Sequence, residues 1–212
     1  MPKIKRDLFD EKRNFIIDAA HLVFSERGYD GATIKDVLSA AGISNGALFI
    51  YFKSKREILL AVMEQKLNVF NARLDGIIDE SKECDREEVL LLLLEMVRQT
   101  LFGPSRAMIL HVWSAAMVDP VIKFSLDKHF EATTKSLSKL ARKMRDSGQM
   151  GPAINPDRVA HGLFSLCISG YVIQLLMFPA MEPRTYLHSH RNLWSKGIAS
   201  QCISLLEVPL PA

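Results

Sequence analysis

The chain has 212 residues, of which 48% are hydrophobic and 24% charged, with a formal net charge of +3. These are the proportions of a soluble globular protein, and the length holds one large domain or a small one beside a larger one. The three cysteines, Cys84, Cys167 and Cys202, are odd in number and lack any C-x-x-C spacing. That argues against a disulfide framework or zinc finger and for a reducing, cytoplasmic home.

Charge is unevenly spread. Residues 1–56 carry ten Lys and Arg against seven Asp and Glu, while the remainder carries 17 of each sign, so all the excess positive charge lies in the first quarter. A basic bias of this kind fits phosphate binding if the fold there suits nucleic acid.

The opening MPKIKRDLFDEKR lacks the apolar core of a signal peptide, and residues 1–9 read as a short, partly basic arm. Asp10 to Arg27 predicts a first helix. Phe15, Ile16, Ala19, Ala20, Val23 and Phe24 recur at steps of three and four and form one apolar stripe, and Gly28 ends it. After a turn, Thr33 and Asp36 have the spacing of a capping box, in which the hydroxyl accepts from a first-turn N–H and the carboxylate reaches back. Val37, Leu38, Ala40 and Ala41 give that second helix its apolar face, and Gly42 stops it where a left-handed residue is cheapest. Ser44 is the next N-cap, Asn45 to Tyr51 make barely two turns, and Ser54 with Glu57 opens a longer helix. A helix, a glycine turn and a short helix led by small polar residues is the layout of a DNA-reading helix-turn-helix.

The run Ala41 to Lys55, AGISNGALFIYFKSK, resembles the DNA-binding signature of the tetracycline-repressor (TetR) family of bacterial transcription regulators. The match continues upstream through Ala19, Ala20, Phe24, Gly28 and Thr33, about the first quarter of the chain. Phe49 stands where the family usually has Tyr, and Ile50 where a polar or aromatic residue is common. The resemblance implies base-edge contacts from Lys35, Ser44, Asn45, Gly46 and Ala47, and phosphate contacts from Thr33, Tyr51 and Lys55. The Asn45 amide can pair bidentately with adenine, and Gly46 and Ala47 would admit close approach or touch a thymine methyl. Phosphate contacts set register rather than sequence.

Lys55 to about Glu80 predicts a fourth helix whose start, Ile58, Leu59, Val62 and Met63, serves the first core, and whose far end, Leu67, Phe70, Leu74 and Ile77, serves the next. Arg86 to Phe102 contains five consecutive leucines, Leu90 to Leu94, so it is apolar on every side and reads as a buried post. Ser105 to Val118 is a further apolar helix with Trp113. Val121 to Ser147 is long and amphipathic, with Phe124, Phe130, Leu137, Leu140 and Met144 on one face. Pro156 to Phe178 has no charged side chain from Val159 onward and reads as apolar on two faces. Gly162, Ser165, Ser169 and Gly170 would let a partner helix approach closely, and a membrane span is the alternative. Tyr186 to Leu206 is the last helix. No strand pattern appears, which predicts an all-α fold of about nine helices.

The expected division is a helix-turn-helix domain over 1–56 and an effector-binding and dimerisation domain over 57–212. The resemblance implies a three-helix DNA-binding domain, a six-helix ligand domain and a homodimer formed through the last two helices. The partners are then double-stranded DNA with a palindromic operator and a small-molecule effector, apolar or cationic, that releases the repressor. Candidate pocket residues are Phe70, Met96, Phe102, Met108, Trp113, Met117, Phe130, Phe164 and Met177, with His111 and Glu95 to orient a polar or cationic group. No G-x-S-x-G, P-loop, H-E-x-x-H or glycine-rich dinucleotide loop is present, so no enzyme activity, metal or cofactor is expected. The alternatives are a DNA-binding dimer without an effector and a helical lipid- or membrane-binding protein.

Overall fold

The computed structural model describes residues 3–80, 93, 95–96 and 106–176. Seven helices and no strand occur among the described residues, and the fold is all-α. We label the helices α1 (Lys3–Gly31), α2 (Ile34–Ala41), α3 (Asn45–Tyr51), α4 (Lys55–Glu80), α5 (Arg106–Ala116), α6 (Pro120–Asp146) and α7 (Pro156–Leu176). Leu93, Glu95 and Met96 are also helical. The rest of the leucine-rich helix, and the last helix expected over Tyr186 to Leu206, lie outside the described residues. No single helix among the described residues is long and apolar enough to cross a membrane.

The described residues fall into two compact units, one within 1–73 and 102–133, the other within 74–101 and 134–212. The first is built on α1. Ile16, Ile17, Ala20, Val23 and Phe24 are buried against Val37, Leu48, Phe52, Ile58, Leu59 and Val62, and α5 and α6 add Met108, Val112, Ile122 and Leu126 to the same core. Burying a side chain of this size stabilises the fold by about 1.5–3 kcal/mol, so α1 alone anchors much of the unit. In the second unit, Leu74, Ile78, Leu137, Leu140, Ala141, Met144, Val159, Ala160 and Leu163 are buried. Three polar contacts join its parts of α4 and α6: Ser136 donates to Asp75 at 2.6 Å, Lys139 pairs with Asp79 at 2.5 Å, and the Lys143 amine donates to the Ile78 carbonyl at 2.5 Å.

Four expectations are corrected. The first helix begins at Lys3 rather than Asp10, so residues 3–9 are helical and not an arm. Its extension has a tertiary support that a periodic pattern cannot reveal: the Phe9 ring lies 4.6 Å from that of Tyr51. Phe15 is 58% exposed while Ile17 is 1% exposed. At 3.6 residues per turn Phe15 sits about 100° from Ile16, on the far side from Ile17 and Phe24. Phe124 is likewise exposed, and Ile78 takes the buried place expected of Ile77. Gly28, at φ 69°, does interrupt α1, but helical turns resume to Gly31.

Candidate nucleic-acid interface

The turn that carries the interface is fixed by short-range hydrogen bonds. Thr33 is the N-cap of α2; its Oγ1 accepts from the Asp36 N–H at 3.2 Å, while the Asp36 carboxylate accepts from the Thr33 N–H at 2.8 Å and the Thr33 hydroxyl at 2.7 Å. Arg27 pairs with the same carboxylate at 2.5 Å. The bonds from the Thr33 side chain and backbone, with Arg27 behind them, hold the Asp36 carboxyl below its ordinary range. Gly42 closes α2 at φ 60° and ψ 32°, the left-handed conformation that costs an L side chain about 1–2 kcal/mol.

Ser44 then caps α3, accepting from the Ala47 N–H at 3.3 Å. Leu48 and Phe52, each 1% exposed, pin the inner side of α3 to the core. Helical spacing therefore turns Asn45 and Gly46 outward, and both are exposed, with Ala47 half-buried. The same spacing places Phe49 beneath Asn45 and Ile50 beneath Gly46, and both are exposed, at 39% and 64%. Sequence reasoning had treated these two only as departures from a pattern. Counting from the buried Leu48 is the signal that identifies them as part of the outward face. Lys35 is exposed on α2.

Of the residues expected to hold phosphates, Thr33 is the exposed N-cap of α2. Tyr51 is half-buried against Phe9. The Lys55 amine sits 4.4 Å from the centre of the Tyr29 ring and 3.4 Å from the Asp30 carbonyl. Lys53 was missed; its amine donates to the Phe49 carbonyl at 2.8 Å, at the C-terminus of α3, where a cation complements the helix dipole. The second capping box forms only in part. Ser54 accepts from the Glu57 N–H at 3.1 Å, and the Glu57 carboxylate accepts from the Lys53 N–H at 2.6 Å, one residue before the cap.

The expected effector residues divide between the units. Met108 is buried in the first, where Trp113 and Phe130 pack on the same core, Phe70 is half-buried and Met117 is 86% exposed. His111 lies 3.6 Å from Asp30 and its ring 5.1 Å from that of Tyr29. Met96 is buried and Glu95 and Phe164 are half-buried in the second unit, while Phe102 and Met177 are outside the described residues. Among the described residues, no group of three or more His, Cys, Asp or Glu side chains could hold a metal ion.

Residues 16–62, the span from α1 to the first turns of α4, match the model described as bacterial regulatory proteins, tetR family. The HTH-type transcriptional repressor AcnR of Corynebacterium glutamicum is 26% identical over 167 residues, covering 77% of this chain and 81% of that protein. A TetR-family regulator from Mesorhizobium loti superposes with a TM-score of 0.78 at 18% identity, over 90% of this chain and 96% of that one. The regulator FadR of Bacillus subtilis, solved in complex with stearoyl-CoA, superposes with a TM-score of 0.70 at 18% identity, over 84% and 95%.

Proposed function

We infer from the chain's membership of the TetR family of bacterial regulatory proteins that it is a transcriptional repressor that binds a palindromic operator as a homodimer. One observation carries the reading. A seven-residue helix is capped by Ser44, pinned by Leu48 and Phe52, and turns Asn45, Gly46, Phe49 and Ile50 outward together. A helix so held can lie in a major groove with its first turn against base edges. On this reading residues 1–56 are the DNA-binding part and 57–212 serve dimerisation and effector binding, with the last two helices joining the copies. Asn45 pairs with adenine, Phe49 and Ile50 meet thymine methyl groups, Lys35, Ser44, Gly46 and Ala47 complete the base-edge set, and Thr33, Tyr51 and Lys55 hold phosphates.

A small apolar or cationic effector releases the operator. The stearoyl-CoA bound by FadR, a protein of similar fold, supports an apolar ligand. Helix α4 contributes residues to both compact units and is the route by which a ligand would reposition the reading head. To reverse the populations of bound and released states the ligand must prefer one by about 5.5 kcal/mol.

Asn45→Ala tests the DNA reading. Titrated against a bound duplex and its single-base-pair variants, the substituted protein is expected to lose discrimination at one A·T position, by about 1–3 kcal/mol. Undiminished discrimination at every position would remove Asn45, and with it the placement of α3 in the groove.

A further inference from the structure

Several cations of the first unit are already engaged. Arg27 is paired with Asp36, Arg56 with Asp119 and Lys66 with Asp18, and the Lys55 amine is engaged by the Tyr29 ring and the Asp30 carbonyl. Arg13 is different. It is partly exposed on α1, its guanidinium carbon 5.0 Å from the centre of the Phe52 ring, and no carboxylate among the described residues pairs with it. Asp10, one turn before it on α1, is exposed and forms no ion pair with it either.

Position gives this unneutralised charge a meaning. Phe9 and Arg13 are four residues apart on α1 and share a face; the Phe9 ring meets that of Tyr51 at 35°, and the Arg13 guanidinium lies over the ring of Phe52, the two contacted residues being the last residue and the C-cap of α3. The early turns of α1 are thus fastened to the end of the reading helix. Lys53, the next residue, adds a second cation there, and its partner is a neutral carbonyl. A helix seated in a major groove has phosphate strands beside it. A guanidinium carries its N–H donors in a planar fork that fits a phosphate, which an ammonium cannot match geometrically.

We infer that Arg13 is a DNA-phosphate contact supplied by α1, aimed by the Phe52 ring, with Phe9 a positioning residue that holds α1 against Tyr51. The inference rests on the DNA-binding reading above and adds a helix outside the helix-turn-helix to the interface.

The test compares wild type, Arg13→Gln and Arg13→Lys on a duplex recovered with the wild-type protein, across a range of salt concentrations. Arg13→Gln is expected to weaken binding on all sequences alike and to lower the slope of log K against log salt by about 0.9 per bound copy. Arg13→Lys should keep most of the slope and lose part of the affinity. A duplex with single phosphates replaced by neutral methylphosphonates separates this role from a folding role: wild type should lose affinity at one phosphate per half-site to which Arg13→Gln is insensitive. An unchanged slope, or equal sensitivity of both proteins at every phosphate, overturns the inference while leaving DNA binding intact. If Arg13→Gln does not fold, Arg13→Met is probed on the same neutral phosphates: insensitivity at the one phosphate where wild type loses affinity supports the inference, and equal sensitivity at every phosphate overturns it. If wild type binds no duplex at all, the DNA-binding reading falls, and this contact falls with it.

Discussion

His21, on α1, is 9% exposed. Burial first, and the nearby Lys66 charge second, hold its pKa below the usual 6.5, with Asp18 pulling the other way. His129 is depressed as well, by burial, against an opposing Glu64. The unfolded chain therefore takes up these protons before the folded one. The stability that neutral His21 contributes is complete above pH 6.5 and declines as pH falls below it, by at most about 1.4 kcal/mol per pH unit for one group. The denaturant midpoint should accordingly drop between pH 7.5 and 5.5, and His21→Gln should flatten that drop. A midpoint equally pH-dependent in both proteins would contradict this assignment. Much at the residue scale was legible because it is local: Thr33 with Asp36, Gly42 and Ser44 each act within four residues of their partners. The rings that meet Tyr51 and Lys55 come from Phe9 and Tyr29, far along the chain, and no spacing rule points to them.

At the scale of elements, the turn between α5 and α6 is tied to the start of α4. Asp119 pairs with Arg56, and the same carboxylate accepts from the backbone N–H groups of Val121 at 2.9 Å and Ile122 at 3.3 Å, capping α6. Removing Arg56 loses an ion pair that is partly exposed and contributes under about 1 kcal/mol. Removing Asp119 loses the cap too, which is a further cost. Asp119→Ala should thus be more destabilising than Arg56→Ala, and Asp119→Asn, which can still cap, should fall between them in urea unfolding. Equal losses for Arg56→Ala and Asp119→Ala would show that the cap contributes nothing. The Asp119-Pro120 dipeptide made this helix boundary legible. Its partner across the unit was not, because an ion pair between residues 63 apart leaves no periodic trace. Helix faces were read with errors of one residue, as at Phe15 and Ile77, where an extra apolar side chain sits at the margin of a stripe and the period alone does not choose.

For the molecule as a whole, the all-α class and the capped helices α2 and α3 were legible because capping, glycine turns and apolar spacing agree there. Candidate effector residues could not be told from core, since apolar side chains that fill a core and those that line a ligand site follow the same helical periodicity. Met108 is buried and Met117 exposed within one ten-residue stretch. The account stands on a twofold pair of reading heads, and the most direct measurement is affinity selection of the purified protein on a pool of random duplexes. The predicted result is an inverted repeat whose half-site centres lie about 34–36 Å apart, or one helical turn. Recovery of no enriched sequence, or of a single unrepeated site, would contradict it.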